Sequence, residues 1–185
     1  MPALDDLAAR LARLEAVAQI RQLVSRYAVA LDARDVDALV GLFAAEVRSG
    51  LREAYFDAPL RRLGVTVLHV GTHVVDLTGP DDARGTVYAR AELEVGPGRW
   101  VSQAVHYGDR YVRRGGRWYF AGRRHELFYG VEQGRRPNGL PAADWPERDT
   151  GAGTVPYRWQ SWQSFWKAGP SSAAGASPQA QEARE

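Results

Sequence analysis

The sequence predicts an α+β fold in which helices come first and an antiparallel sheet follows. Three observations predict it. Apolar residues recur at three- and four-residue steps through the first 45 residues. Two-residue alternation replaces that pattern between residues 65 and 129. Glycine- and proline-bearing turns divide the alternating stretch into hairpin-sized pieces.

Leu14, Val17, Ile20, Val24, Tyr27 and Leu31 mark one helical face, and Leu4, Leu7 and Leu11 extend the stripe, so residues 4–31 read as one long helix or two collinear ones. Asp5 and Asp6 suit the positive end of its dipole. The run Leu31-Asp32-Ala33-Arg34-Asp35 breaks the pattern. Asp35 is placed to N-cap a second helix over residues 36–45, because its carboxylate can accept the free N–H groups of the first turn. Residues 52–63 read as a short third helix interrupted at Pro59. Strands are expected over residues 65–77, 83–95, 101–113 and 117–129, with turns at Gly79-Pro80-Asp81-Asp82, Gly96-Pro97-Gly98 and Gly115-Gly116.

Residues 130–168 are punctuated by Pro and Gly yet carry Trp145, Tyr157, Trp159, Trp162, Phe165 and Trp166. Four of the six tryptophans fall there, and disordered segments are poor in aromatics. Trp159, Trp162 and Trp166 are spaced as on one face of a short helix. The segment reads either as a cover for a sheet face or a partner subunit, or as a lid over a pocket mouth. Residues 169–185 are rich in Ala, Ser, Gln and Pro without apolar period and read as a disordered tail. The chain divides into a domain over 1–130, an ordered aromatic extension over 131–168 and that tail.

Composition narrows the function classes. The formal charge is only +2, and the basic residues fall in short separated runs, which argues against the basic stripe of a nucleic-acid binder. Cysteine is absent, so disulfides, thiolate nucleophiles and Cys-type zinc sites are excluded. The N-terminus is charged throughout, and no run approaches the ~18 apolar residues of a membrane span. A cytoplasmic location is the expectation.

The residues that could carry chemistry begin with Tyr27 and Asp32, which both project from the packing face of the first helix. An inward carboxylate costs several kcal/mol, roughly, unless it is paired. His69 stands mid-strand among Val65, Val67 and Val70, where a neutral imidazole needs a partner. Taken alone, Asp32 reads as a helix-end cap and His69 as a satisfied core histidine. The wider pattern adds to this. It comprises RYxxxLDxxDxxxLxxLF from Arg26, the histidine strand from Val67 to Asp76, the turn and strand from Asp82 to Tyr88, and the segment from Tyr107 to Arg123. Over roughly residues 10–130 this order resembles the SnoaL-like branch of the NTF2-like superfamily, which also holds scytalone dehydratase and bile-acid 7α-dehydratase.

The resemblance implies a strongly curved sheet closed by the helices into a cone around a pocket. It also implies Tyr27 as a pocket tyrosine, Asp32 as the carboxylate that orients a histidine, and His69 as general base. A carboxylate on one ring nitrogen fixes the tautomer and raises the basicity of the other. A second pocket histidine of scytalone dehydratase has no match on strand 83–95, where Glu92 or Glu94 stands instead. Tyr55 lies near another pocket tyrosine position but out of register.

The family register turns Gln103, Val105, Tyr107, Asp109 and Tyr111 toward the pocket. Tyr107 then becomes a substrate contact, and Asp109 a partner for Arg123 or Arg110. Arg123 and Arg124 adjoin, so only one can face in, where it would suit a carboxylate or enolate. The substrate-binding candidates are thus Tyr107, Tyr55, Glu92, Arg123 and Trp145. His69 and His73 would stand about 13 Å apart along a strand, too far for one metal ion. His106 and His125 lie on separate strands without a carboxylate set.

The functional expectation is a cofactor-independent, metal-free acid–base enzyme. It would be a dehydratase, isomerase or cyclase acting on a hydrophobic polyketide- or steroid-like molecule. The alternative is a non-catalytic ligand-binding or assembly module on the same fold. A homodimer or larger homo-oligomer is expected, because an open curved sheet has an outer face to cover.

Overall fold

The computed structural model describes residues 2–96, 98–134, 137–143, 147 and 150–169. Helix α1 spans Pro2–Asp32 as a single helix. Ala16, Ile20, Leu23, Val24 and Ala28 are buried, whereas Leu4, Leu7, Leu11 and Leu14 are exposed. The continuous stripe expected from the sequence is therefore corrected. At 3.6 residues per turn the four leucines point roughly half a turn away from Ile20 and Val24.

Arg34 adopts a left-handed backbone (φ 56°) that turns the chain after α1. Asp35 Oδ1 accepts the Ala38 N–H at 3.0 Å and caps α2, which covers Val36–Gly41. A 3-10 turn at Ala45–Val47 follows, then a π-helical stretch at Arg52–Asp57 that runs into α3 at Ala58–Arg61. Pro59 does not interrupt a helix. It occupies the first turn of α3, where a missing N–H loses no partner.

Strands β1 (Leu63–Leu77), β2 (Asp82–Val95), β3 (Trp100–Arg114) and β4 (Arg117–Glu132) form one antiparallel sheet in chain order. The Gly115-Gly116 turn has both residues at positive φ, as a tight hairpin requires. The ladder carries register shifts on β1 between Val70 and His73, and on β4 at Ala121, opposite Arg110 and Tyr111, and at Phe128, opposite Ala104 and Val105. Such bulges add local twist and curl a sheet. Helix α1 closes the concave side. The chain after α2 is clipped to β4, with Ala44 N donating to Phe120 O and Phe120 N to Leu42 O, each at 2.9 Å. Ile20, Val24, Leu39, Val87, Val105 and Phe120 form the centre of the core.

Helix α4 (Gln160–Lys167) packs back on its own chain. Trp162 joins Val65 and Trp100 in a small second core beneath the Arg34 guanidinium, 4.8 Å from its ring centre. Ser161 Oγ donates to Ala33 O at 2.8 Å, and Arg61 Nη1 to Phe165 O at 3.1 Å. Trp145 and the tail from residue 170 lie outside the described residues. Among the described residues no helix is long and apolar enough to cross a membrane.

Candidate functional site

The cone encloses a cavity of about 860 Å³. Leu31, Phe43, Phe56, Leu60, Leu68, Ala91, Leu93 and Val105 supply apolar walls, while Tyr27, Thr66, Gln103, Tyr107, Arg123 and His125 add polar groups. The π-helical stretch borders the mouth, where Tyr55 is 69% exposed. A second cleft of about 830 Å³, between α1, α2 and β4, is lined by Arg26, Arg48 and Arg117 and lies outside the cone.

Arg123 is the organising cation of the cavity. The bulge on β4 turns it inward while Arg124 points out and pairs with Glu126 at 3.3 Å. Asp109 receives Nε at 2.8 Å and Nη2 at 2.7 Å, a bidentate pair buried on both sides. The guanidinium also lies against the rings of Tyr27, Tyr107 and Phe120 at 4.3, 4.2 and 4.5 Å. Burial works against its charge, but the hydrogen bonds and charge of Asp109 outweigh that and raise its pKa.

Tyr111 donates to Asp109 Oδ2 at 2.7 Å. Its single proton is thereby used, so at 3.1 Å His73 Nε2 is the donor to the Tyr111 oxygen. A buried chain thus runs from His73 through Tyr111 and Asp109 to Arg123.

Burial raises the pKa of Tyr27, with the Arg123 charge pulling the other way, and it pushes Tyr107 well above the ordinary tyrosine range. Both phenols are therefore O–H donors at neutral pH. His125 stacks on Tyr107 with ring centres 5.3 Å apart and planes 28° apart. His125 is exposed to solvent at one edge, yet its partial burial first, and the Arg123 charge second, lower its pKa, so it is a neutral imidazole at neutral pH.

The expected Asp32–His69 pair does not form. Asp32 Oδ1 accepts from Thr66 Oγ1 and Oδ2 from the Leu68 N–H, both at 2.9 Å. Strand alternation explains this, because Thr66 and Leu68 face the cavity and His69, between Leu68 and Val70, is exposed on the other face. Burial raises the Asp32 pKa, and the bonds from Leu68 and Thr66 oppose it. Arg34 donates to Thr66 Oγ1 at 2.8 Å and to Leu31 O at 2.7 Å, and also meets Gly64 O. Asp32 therefore belongs to a network that fastens the end of α1 to β1.

The bulge after Val70 turns His73 inward, so His69 and His73 do not share a face. Glu92 is corrected too: Ala91 and Leu93 line the cavity, so Glu92 between them faces away. Tyr27, Tyr107, Arg123 and Tyr55 do border the cavity. Among the described residues of the extension none lines it, and α4 covers the α1–β1 corner instead. His125 was not singled out as a pocket residue from the sequence. Its signal was its place across the last hairpin from Tyr107, displaced by a bulge. Among the described residues no group of three or more His, Asp or Glu side chains could hold a metal ion.

The family model of the SnoaL-like domain matches residues 12–124. The chain belongs to the SnoaL-like family. Solved structures share its NTF2-like, cystatin-like architecture. The hexachlorocyclohexane dehydrochlorinase LinA-type3 from Novosphingobium barchaimii is 18% identical, covering 68% of this chain and 94% of its own, with a TM-score of 0.60. A candidate scytalone dehydratase from Novosphingobium aromaticivorans is 17% identical over 68% of this chain and 92% of its own, with a TM-score of 0.61. An NTF2-like protein with a cystatin-like fold, also from N. aromaticivorans, is 23% identical over 68% and 90%, with a TM-score of 0.55. At these identities the likenesses show the fold. No curated protein sequence matches the chain.

Proposed function

We propose that this SnoaL-like protein is a cofactor-independent acid–base enzyme. It removes a proton beside a carbonyl in a hydrophobic, polyketide- or steroid-like molecule, leading to elimination, isomerisation or ring closure. One observation carries the reading: an apolar cavity of about 860 Å³ lined by two tyrosines, a guanidinium locked against their rings and a neutral histidine. The fold shared with a dehydrochlorinase and a candidate dehydratase supports elimination chemistry.

In this reading the substrate carbonyl accepts hydrogen bonds from Tyr27 and Tyr107. Negative charge develops on that oxygen as the proton leaves, and fixed donors in a low-dielectric site stabilise it without reorganisation. Arg123, held by Asp109, adds a positive potential behind both rings. His125 takes the proton, because it is neutral at working pH and stands at the cavity mouth beside Tyr107. The role expected for His69 passes to His125. The protein works as a homo-oligomer.

A second reading is a non-catalytic ligand-binding module on the same fold. The Asp32 network favours it, since the carboxylate expected to activate a base is tied to the Thr66 hydroxyl and the Leu68 N–H instead. Titration with 2-naphthol, a planar mimic of an aromatic enolate, tests the site both readings share. Binding is expected to shift the NMR signals of Tyr27, Tyr107, Arg123 and His125 and to leave His69 unmoved. Perturbation confined to other surfaces would remove the cavity from both.

A further inference from the structure

Helix α1 carries two apolar stripes on opposite faces, and only one has a partner. The stripe from Ala16 onward is buried against the sheet. The other, Leu4, Leu7, Leu11 and Leu14, is 65, 58, 54 and 68% exposed and stands outside both core clusters.

Its three-four-three spacing is the a/d seam of a left-handed coiled coil. With Leu4 and Leu11 at a and Leu7 and Leu14 at d, Arg10 falls at g and Glu15 at e. In a parallel pair the g residue faces the e residue five positions further along the partner helix. Arg10 and Glu15 have that separation and opposite charges, so a two-fold pair makes the contact twice. An antiparallel pair sets g against g and brings the two Arg10 side chains together. The next a position is Ala18, small and exposed, and the next d is Arg21, where the seam ends.

We propose that residues 4–15 of α1 form a parallel two-stranded coiled coil with the same segment of a second copy of this chain. Two heptads are marginal as isolated peptides because nucleation is costly. Here the helix is continuous with a segment packed in its own domain, so association does not carry that nucleation cost. This inference rests on the homo-oligomer reading and specifies the surface that serves it.

The test is sedimentation equilibrium on the full chain and four variants, each checked for an unchanged thermal melt of the domain. The double variant Leu7→Lys/Leu11→Lys is expected to sediment as a monomer at concentrations where wild type is a dimer. Arg10→Glu alone and Glu15→Arg alone are each expected to weaken the dimer about tenfold, since attraction becomes repulsion at two symmetric contacts. The charge swap Arg10→Glu/Glu15→Arg is expected to restore it, because each altered residue again meets its opposite across the seam. Failure of the swap to restore association overturns the parallel register. A dimer indifferent to Leu7→Lys/Leu11→Lys overturns the coiled coil and leaves assembly to another surface, such as the exposed Leu127–Val131 side of β4. A monomeric wild type overturns both this inference and the homo-oligomer reading.

Discussion

The Arg123 guanidinium is out of water, and Asp109 makes its charge tolerable there by meeting it edge-on at 2.8 and 2.7 Å. Removing one partner of a buried pair leaves the other charge uncompensated, at a cost of about 3–5 kcal/mol. Asp109→Ala is therefore expected to lower thermal stability steeply, as a melting curve would record, whereas Glu132→Ala at the exposed Arg99–Glu132 pair changes it little. The two lowered histidines set a pH dependence. His73 and His125 both have folded pKa values below the ordinary 6.5, burial being the first cause for each. The unfolded chain then binds protons that the folded chain refuses. Their contribution to stability is complete above pH 6.5 and is lost as pH falls through the lowered folded values. A urea melt repeated at descending pH, in wild type and in His73→Gln/His125→Gln, is expected to show a shallower acid decline in the double variant.

At the scale of elements, the bulges decide which side chains meet. Counting back from the Gly115-Gly116 turn with perfect pairing would set Asp109 opposite Gly122 and Tyr107 opposite Arg124. The shift between Arg110 and Tyr111 pairs Asp109 with Arg123 and Tyr107 with His125 instead. The shift after Val70 likewise separates His69 from His73. Helices, strands and turns were legible because periodicity and glycine placement are local properties of the chain. Asp35 was legible as a cap for the same reason. A one-residue insertion in a ladder leaves no periodic trace, yet it inverts every side chain beyond it. That is why periodicity points to Tyr107 and Arg123 but not to His125. His69 lies in a regular stretch of β1, where alternation with Thr66 and Leu68 turns it away from the cavity. Gly85 tests the packing at this level. A Cβ there would stand 2.7 Å from the Tyr111 ring, so Gly85→Ala is expected to cost about 1–3 kcal/mol, measured by denaturant unfolding. Trp162→Ala, which empties the small core under Arg34, is expected to cost about 3–5 kcal/mol while leaving 2-naphthol affinity intact, since α4 does not line the cavity.

Across the whole molecule, the curled sheet and α1 hold an apolar chamber whose polar groups come from α1, β1, β3 and β4. The account centres on His125 as the base of that chamber, with Tyr27 and Tyr107 as donors to the forming enolate oxygen. Deuterium exchange beside the carbonyl of an aromatic ketone such as 2-tetralone reads this chemistry without knowledge of the natural substrate. Wild type is expected to accelerate exchange over buffer, and His125→Ala to lose about 10²–10⁴-fold of that rate, the usual contribution of a general base. His69→Ala should exchange at the wild-type rate. Exchange that is no faster than buffer, or that survives in His125→Ala and disappears in His69→Ala, would contradict the account.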